Sequence, residues 1–129
     1  MGKPVRVLLV EDSERDAALL MLYLRRGGFE PTLHRVETGP EMKAELARAD
    51  WDVVISDFNL PRFNAQAALT TLLESGRRVP FIVLSGGMAE DVVGQIIKAG
   101  ASHFILKHQM AQIVPVIERA MRARAEGGS

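Results

Sequence analysis

The sequence predicts an α/β fold with a doubly wound, five-stranded parallel sheet, and three observations support this prediction. Short apolar runs alternate regularly with longer segments of helical periodicity. Glycine and proline residues separate many of these segments. The length of 129 residues and the hydrophobic content of 47% suit one core. Because parallel strands need right-handed crossovers, we expect helices on both faces and the strand order 2-1-3-4-5.

The first predicted unit consists of a strand, a helix and a second strand. Residues 5–10 form an apolar run typical of a buried parallel strand. Ser13 is a suitable N-cap for the next helix, with Asp16 three residues later, and Gly27 ends that helix. Residues 32–36 predict a second, weaker strand.

The middle of the chain continues the alternation. Pro40 suits the first turn of a second helix, because the proline nitrogen lacks a proton that would be unpaired there. Residues 53–57 predict the third strand, which should occupy the centre of the sheet. A third helix over about residues 64–75 ends at Gly76.

The last part of the chain completes five strand and helix pairs. Residues 81–85 and 103–106 predict the fourth and fifth strands. A fourth helix runs from about residue 89 to residue 99. The last helix covers about residues 112–126, and Pro115 is tolerated only if it lies in the first turn.

Composition and charge limit the classes of function. Residues 1–126 are expected to form one domain and residues 127–129 a flexible tail. The 16 basic and 16 acidic residues cancel, and no basic run favours nucleic acid. There is no cysteine, and the three histidines lack the spacing of zinc ligands. Because no run has the length of an export signal or spanning helix, we expect a cytoplasmic protein without a membrane partner.

Charged and polar residues stand where the predicted strands end. Glu11 and Asp12 follow the first strand, and Asp57 ends the third. Ser85 ends the fourth strand, and Lys107 follows the fifth. Because ligands bind at the carboxyl ends of parallel strands, these side chains should converge, with Asp12 beside Asp57. Such a set favours a phosphoryl-transfer site.

The predicted acidic residues suit a magnesium ion. Mg²⁺ prefers hard oxygen ligands in a near-octahedral shell that retains several waters. We expect Asp12 and Asp57 to bind it directly and Glu11 to act through water, while the backbone carbonyl of Asn59 can turn back towards the ion. A carboxylate can also act as a nucleophile and form an aspartyl phosphate, a role that suits Asp57 at the end of the central strand.

The remaining residues suit a transferred phosphoryl group, whose oxygen atoms carry negative charge. Lys107 supplies a mobile positive charge and Ser85 a hydroxyl donor. Gly86 and Gly87 allow backbone N–H groups to approach without a Cβ atom. Taken singly, these groups also suit a helix start, a turn, a loop and a solvated amine. Their agreement at four strand ends favours the phosphoryl-transfer interpretation.

Four stretches carry a resemblance to a known family, and they are residues 7–12, 53–61, 82–86 and 99–107. In their order and spacing, the chain resembles response-regulator receiver domains of bacterial two-component signalling over nearly its whole length.

The resemblance implies a function for most of these residues. Asp57 would accept a phosphoryl group from a phosphohistidine of a histidine kinase or histidine phosphotransfer protein. Asp12, Asp57 and the Asn59 carbonyl would bind Mg²⁺, with Glu11 assisting. Ser85 would contact the phosphoryl group, and Lys107 would pair with it.

The resemblance also implies a conformational switch formed by Ser85 and Phe104. In the family, an aromatic residue on strand five moves inward as the hydroxyl moves to the phosphoryl oxygen. Because Phe104 has no hydroxyl, the change would be one of packing on the surface formed by helix four, strand five and helix five. Phe104 could instead be a plain core aromatic residue.

Three positions depart from the family pattern. His108 follows Lys107 where many receivers have a proline with a cis bond, so we expect a trans bond here. Arg62 and Ala65 stand where the family often has glycine.

Output would pass through the receiver's own surface, to a downstream protein or a fused domain.

Two other classes of function stay open. One is a pseudo-receiver that acts as an interaction scaffold without phosphorylation, although a scaffold has no need to hold like charges together. The other is an enzyme, either a flavodoxin-like FMN protein or an aspartyl-phosphate hydrolase. We expect no enzyme, only a phosphoacceptor domain that assists its own phosphorylation and dephosphorylation.

Overall fold

A computed structural model describes residues 2–58, 60, 63–87 and 90–126, except for the side chains of residues 90–93. Asn59, Arg62 and the predicted tail at residues 127–129 lie outside the described residues. The five strands form one parallel sheet in the order β2-β1-β3-β4-β5, which confirms the predicted topology.

Strands and helices alternate along the chain. The elements are β1 (Lys3–Val10), α1 (Glu14–Arg26), β2 (Phe29–Val36), α2 (Gly39–Arg48), β3 (Val53–Asp57), α3 (Ala65–Glu74), β4 (Phe81–Ser85), α4 (Glu90–Ala99), β5 (His103–Leu106), a short 3-10 helix (Lys107–Gln112) and α5 (Ile113–Ala125).

The predicted bounds of β3, β4 and β5 are confirmed, and the differences occur elsewhere. β2 begins at Phe29, earlier than predicted, and pairs there with Lys3 of β1. It tolerates Pro31 because it lies at the edge of the sheet, where one side needs no hydrogen bonds. The 3-10 helix after β5 was not predicted, and α5 starts after it with Pro115 in its first turn.

The first turn of α1 is fixed by the predicted N-cap. The Ser13 hydroxyl accepts a hydrogen bond of 3.1 Å from the backbone N–H of Asp16. Asp16 thus lies in the first turn of a helix that begins just beyond the carboxyl end of β1. Side chains of a helix point towards its N-terminus, so Asp16 is directed towards that edge of the sheet.

Alternating strand residues contribute to two apolar cores, one on each face of the sheet. Val7 and Leu9 of β1 pack with residues of α1 and α5 on one face, hereafter the α1–α5 face. Leu8 and Val10 pack with residues of α2, α3 and α4 on the other, the α2–α4 face. Burial on both faces is typical of parallel sheets and explains the continuous apolar runs of the strands.

The same alternation determines the face to which each strand-end residue belongs. Val53 and Ile55 belong to the α1–α5 core, and Asp57 continues that series along β3. Phe81 and Val83 belong to the α2–α4 core, and Ser85 continues that series along β4. Asp57 and Ser85 therefore approach the carboxyl edge from opposite faces.

The helices are amphipathic and bury one side against the sheet. In α1 the buried residues are Ala17, Leu20 and Leu24, at the spacing of one helix face. Among the helices that the structure describes, none combines the length and hydrophobicity needed to cross a membrane.

Candidate functional site

Lys107 is the centre of a charged cluster at the carboxyl edge of the sheet. Its Nζ atom lies 2.7 Å from Oδ2 of Asp57, 2.7 Å from Oδ2 of Asp16 and 3.4 Å from Oε1 of Glu11. An ammonium group has three N–H donors, so one donor is available for each carboxylate. The cluster joins residues from the ends of β1, β3 and β5 to the first turn of α1.

The three acidic side chains of the cluster are close to one another. Carboxylate oxygens of Glu11, Asp16 and Asp57 all lie within 4.8 Å of each other, the only such group of three among the described residues. Counted over the whole residue, Glu11 is 3% exposed and Asp57 is 8% exposed, whereas Asp12 lies at the surface. The structure thus brings together Glu11, Asp57 and Lys107 as predicted, and adds Asp16.

Sequence reasoning assigned Asp16 only to the start of a helix. Its position could have identified it, because α1 covers the face of the sheet to which Asp57 belongs. A first-turn residue of this helix points back to the strand ends, as Asp16 does. Asp12 is the next residue after Glu11 and does not join the group of three carboxylates.

The backbone at Glu11 is held by β2. The N–H of Glu11 donates a hydrogen bond of 3.0 Å to the carbonyl oxygen of Val36. The Glu11 carbonyl accepts a bond of 3.1 Å from Nη1 of Arg35. Arg35 also forms ion pairs with Glu14 and Glu37. These contacts fix the backbone that carries the first acidic residue of the site.

Burial and neighbouring charges alter the pKa values in the cluster. Burial, followed by the adjacent Asp57 and Asp16 carboxylates, raises the pKa of Glu11 from 4.5 to about 9. The hydrogen bond from Lys107 holds the pKa of Asp16 below its ordinary value. Burial alone would lower the pKa of Lys107, but its bonds to Asp16 and Asp57 outweigh this effect and raise it. Lys107 is therefore charged at neutral pH.

The donor set fits a divalent cation such as Mg²⁺. Three carboxylates within 4.8 Å of each other provide the hard oxygen ligands that this ion prefers. Oε2 of Glu11 is buried and has no hydrogen-bond partner among the described residues, and a buried carboxylate oxygen without a partner is costly. An ion at this edge would supply the missing interaction.

Ser85 is buried at the end of β4, and its hydroxyl is bonded to the loop that follows. Oγ donates a hydrogen bond of 2.6 Å to the carbonyl of Gly87 and accepts one of 3.3 Å from its N–H. Gly86 and Gly87 are exposed, and a Cβ atom on either would meet no other group of the described residues within 4 Å. These glycines leave open space beside the hydroxyl.

Phe104 is half-buried on β5 and packs against the α2–α4 core. Ser85 lies on the same face of the sheet. The residues described include no cis peptide bond, so the bond between Lys107 and His108 is trans, as expected. Asn59, whose carbonyl was predicted as a metal ligand, lies outside the described residues.

Comparison with known proteins identifies the family. The sequence profile of the response regulator receiver domain matches residues 7–118. The chain belongs to this family. A curated relative, the chemotaxis protein CheY1 of Helicobacter pylori, is 30% identical over 115 residues, which cover 85% of this chain and 90% of the relative.

Other receiver-domain relatives are longer than this chain. The cell cycle transcriptional regulator CtrA of Caulobacter vibrioides is 29% identical over 90% of the chain and 52% of CtrA. The sensory transduction protein RegX3 of Mycobacterium tuberculosis is 34% identical over 92% of the chain and 51% of RegX3. The chain thus spans about half the length of these two relatives.

Solved structures of receiver domains have the same fold. The receiver domain of a sensor histidine kinase from Pseudomonas aeruginosa, solved with magnesium in its active site cleft, gives a TM-score of 0.75 at 26% identity. That match covers 95% of this chain and 99% of the other. A response regulator receiver domain from Clostridium thermocellum gives 0.81 at 19% identity, over 94% and 97% of the two chains.

Membership of the family defines the general role of the chain. It is a receiver domain of two-component signalling, a class of signalling domain that is typically not catalytic. Receiver domains interact with histidine kinases or phosphotransfer proteins and bind Mg²⁺ at an acidic pocket. The cluster of Glu11, Asp16 and Asp57 fits such a pocket.

Proposed function

We propose that residues 1–126 act as a phosphorylation-dependent switch in which Asp57 is the phosphoacceptor. The observation that carries the proposal is the 2.7 Å contact between Nζ of Lys107 and Oδ2 of Asp57 beside two further carboxylates. This chemistry needs a carboxylate that accepts the phosphoryl group and an acidic cluster beside it. It also needs a cation that can pair with the negative charge of the phosphorylated product.

The transfer step converts the Asp57 carboxylate into an acyl phosphate. An Oδ atom of Asp57 forms a bond to phosphorus as the bond between phosphorus and the imidazole nitrogen of the phosphohistidine breaks. The electron pair of that broken bond remains on the imidazole, which is then free to take up a proton. Hydrolysis reverses the modification, because water attacks phosphorus and the Asp57 carboxylate leaves.

The acidic residues would hold Mg²⁺ during this step. We assign Asp57 and Asp12 as direct ligands, Glu11 as a ligand through water, and the Asn59 carbonyl as a further ligand. When bound, Mg²⁺ neutralises part of the charge on the phosphoryl oxygens. The unpartnered Oε2 of Glu11 supports a metal at this edge. Asp12 is exposed and adjacent to Glu11, and the proposal requires its carboxylate to turn towards the ion.

The groups around the bound phosphoryl group would change their hydrogen bonds in response to it. Lys107 would transfer its hydrogen bond from Asp57 to a phosphoryl oxygen. The Ser85 hydroxyl would leave the Gly87 carbonyl for another phosphoryl oxygen, and the Gly86 N–H would also donate. Movement of Ser85 would make space into which Phe104 can shift, which would change the surface of α4, β5 and α5. A downstream protein or fused domain would bind that surface.

A labelling experiment with acetyl phosphate tests the assignment of Asp57. We expect a mass increase of one phosphoryl group that requires Mg²⁺ and is absent in Asp57→Asn. Asp50→Asn is the matched control, because the Asp50 side chain is 90% exposed and pairs with Arg77 away from the cluster. The control should be labelled as the wild type is. Labelling of Asp57→Asn at the wild-type level would refute the assignment.

The same experiment distinguishes the switch from a scaffold. A folded wild-type chain that neither accepts the phosphoryl group nor changes its melting temperature with Mg²⁺ and beryllofluoride would be a pseudo-receiver. The burial of Glu11 beside Asp57 argues against a scaffold, since burying two acidic groups side by side makes ionisation of one of them costly, and a fold that does not use them gains nothing from that cost.

A further inference from the structure

Lys107 and a divalent cation would compete for the same acidic side chains. Nζ of Lys107 lies 2.7 Å from Oδ2 of Asp57 and 3.4 Å from Oε1 of Glu11, both of which belong to the proposed metal site. Two cations at one pair of carboxylates repel each other strongly in a partly buried site. The ammonium must therefore weaken its contact with these oxygens when the ion binds.

Asp16 provides Lys107 with a partner outside the strand ends. Its Oδ2 atom lies 2.7 Å from Nζ, as close as that of Asp57. The Asp16 side chain is 32% exposed, against 12% for Asp57 and 3% for Glu11, so it lies on the outer side of the cluster. Asp16 is the least desolvated of the three acidic groups, and its charge is therefore the least costly to pair with the ammonium alone.

The backbone of Asp16 is held in place independently of Lys107. Its backbone N–H donates to the Ser13 hydroxyl, and α1 is held to the sheet by buried Ala17, Leu20 and Leu24. The carboxylate can therefore keep the ammonium in place when the contact with Asp57 is lost.

We infer that Asp16 is a positioning residue that holds Lys107 while a divalent cation is bound directly by Asp57 and through water by Glu11. Asp16 acts through the lysine: it lowers the competition between the ammonium and the cation, and it keeps Nζ near Asp57 for the phosphoryl group. The inference rests on the proposed function. Asp16 could instead be a direct ligand of the metal. In that case its substitution would weaken metal binding equally after Lys107 is removed.

Calorimetric titration of Mg²⁺ into four proteins separates these roles. The proteins are the wild type, Asp16→Asn, Lys107→Met and the double variant. We expect Asp16→Asn to weaken Mg²⁺ binding by about tenfold when Lys107 is present, the size of a typical coupling between contacting residues. In the Lys107→Met background the same change should weaken binding by less than about threefold, because no ammonium is left to compete.

Two further variants control for charge and fold. Glu14→Gln removes the same charge from the same helical turn, at a side chain that is 88% exposed, and should leave the affinity within about twofold. Asp16→Glu keeps the carboxylate and should retain most of the wild-type affinity. Melting curves without Mg²⁺ establish that each variant is folded.

The outcomes separate this inference from the proposed function. Equal losses with and without Lys107 would make Asp16 a metal ligand and overturn the inference alone, as would no loss in either background. A wild-type chain that binds no Mg²⁺ would overturn both. A loss that requires Lys107, together with rescue by Asp16→Glu, supports the positioning role.

Discussion

The two faces of the sheet hold their strand-end residues by different kinds of contact. On the α1–α5 face, Asp57 and Glu11 bond to Lys107, which in turn bonds to Asp16 of the covering helix. On the α2–α4 face, the bonds of the Ser85 hydroxyl among the described residues are to Gly87 of its own loop. Phe104 on that face is half-buried among apolar neighbours.

This difference separates a charged, fixed half of the site from a half that can rearrange. Charge-assisted bonds in a buried setting are strong, and removing one member leaves its partners uncompensated. A hydroxyl bonded to a loop two residues away can exchange its partner for another acceptor at little cost. We therefore expect substitutions on the α1–α5 face to change stability more than those on the α2–α4 face.

The largest effect should come from Glu11→Gln as the pH rises. The folded protein binds the Glu11 proton with a pKa of about 9, and the ordinary value is 4.5. The stabilisation from this group is therefore complete below the ordinary value and is lost as the pH rises towards 9. Glutamine stays neutral and keeps an acceptor for Lys107. Relative to the wild type, the variant should gain stability as the pH rises, by at most about 1.4 kcal/mol for each pH unit between the two pKa values.

Urea unfolding at about pH 5 and about pH 9 measures this difference. Asp16 stays ionised over that range because its pKa is lowered, and His103, whose pKa burial lowers, titrates in both proteins and cancels. A constant difference between the two proteins at both pH values would show that Glu11 is ionised throughout. That result would contradict the raised pKa of Glu11 in the folded protein.

The second-largest effect on stability should come from removing Lys107, the positive charge of the cluster. Lys107→Met removes the ammonium that bonds to Asp16, Asp57 and Glu11 and should lower the free energy of unfolding by about 2 kcal/mol near neutral pH, less than for a fully buried pair. The lysine is 26% exposed, which moderates the loss. Lys43→Met, an exposed lysine of α2, should change stability by less than about 0.5 kcal/mol. Equal losses in denaturant titrations of both variants would contradict this prediction.

Most of the fold could be predicted from the sequence because its signals are local. Buried parallel strands are continuous apolar runs, and those of β3, β4 and β5 end at Asp57, Ser85 and Leu106 as expected. The early start of β2 was missed because Pro31 is a breaker in most strands and is tolerated only at a sheet edge. Edge position is a property of the whole sheet.

The site was less predictable because it depends on which helix covers which face. The strand-end residues Glu11, Asp57 and Lys107 follow directly from topology. To identify Asp16, one must know how the first turn of α1 is oriented. Asp16 also has an ordinary explanation, because its backbone N–H bonds to the capping Ser13 hydroxyl. The roles of Asp12, Gly86 and Phe104 remain predictions, because each depends on a bound ion or phosphoryl group.

A smaller effect is expected at Ser85. Ser85→Ala removes the bond to the Gly87 carbonyl and should lower the free energy of unfolding by about 1 kcal/mol, the typical value of one such bond. Because Ser85 lies on the α2–α4 face, Mg²⁺ affinity measured by calorimetry should stay within about twofold of the wild type. A tenfold loss of affinity would mean that the two halves of the site are not separate.

The smallest effect should come from Phe104→Tyr, which adds a hydroxyl to a half-buried ring. At this position the hydroxyl can reach water, so the free energy of unfolding should change by less than about 0.5 kcal/mol. Phe81→Tyr is the matched control on the same face, because Phe81 is 1% exposed and a buried hydroxyl without a partner costs about 1–3 kcal/mol. Urea unfolding of both variants makes the test. If Phe104→Tyr costs as much as Phe81→Tyr, residue 104 has no room to change its packing, and the switch must use another residue.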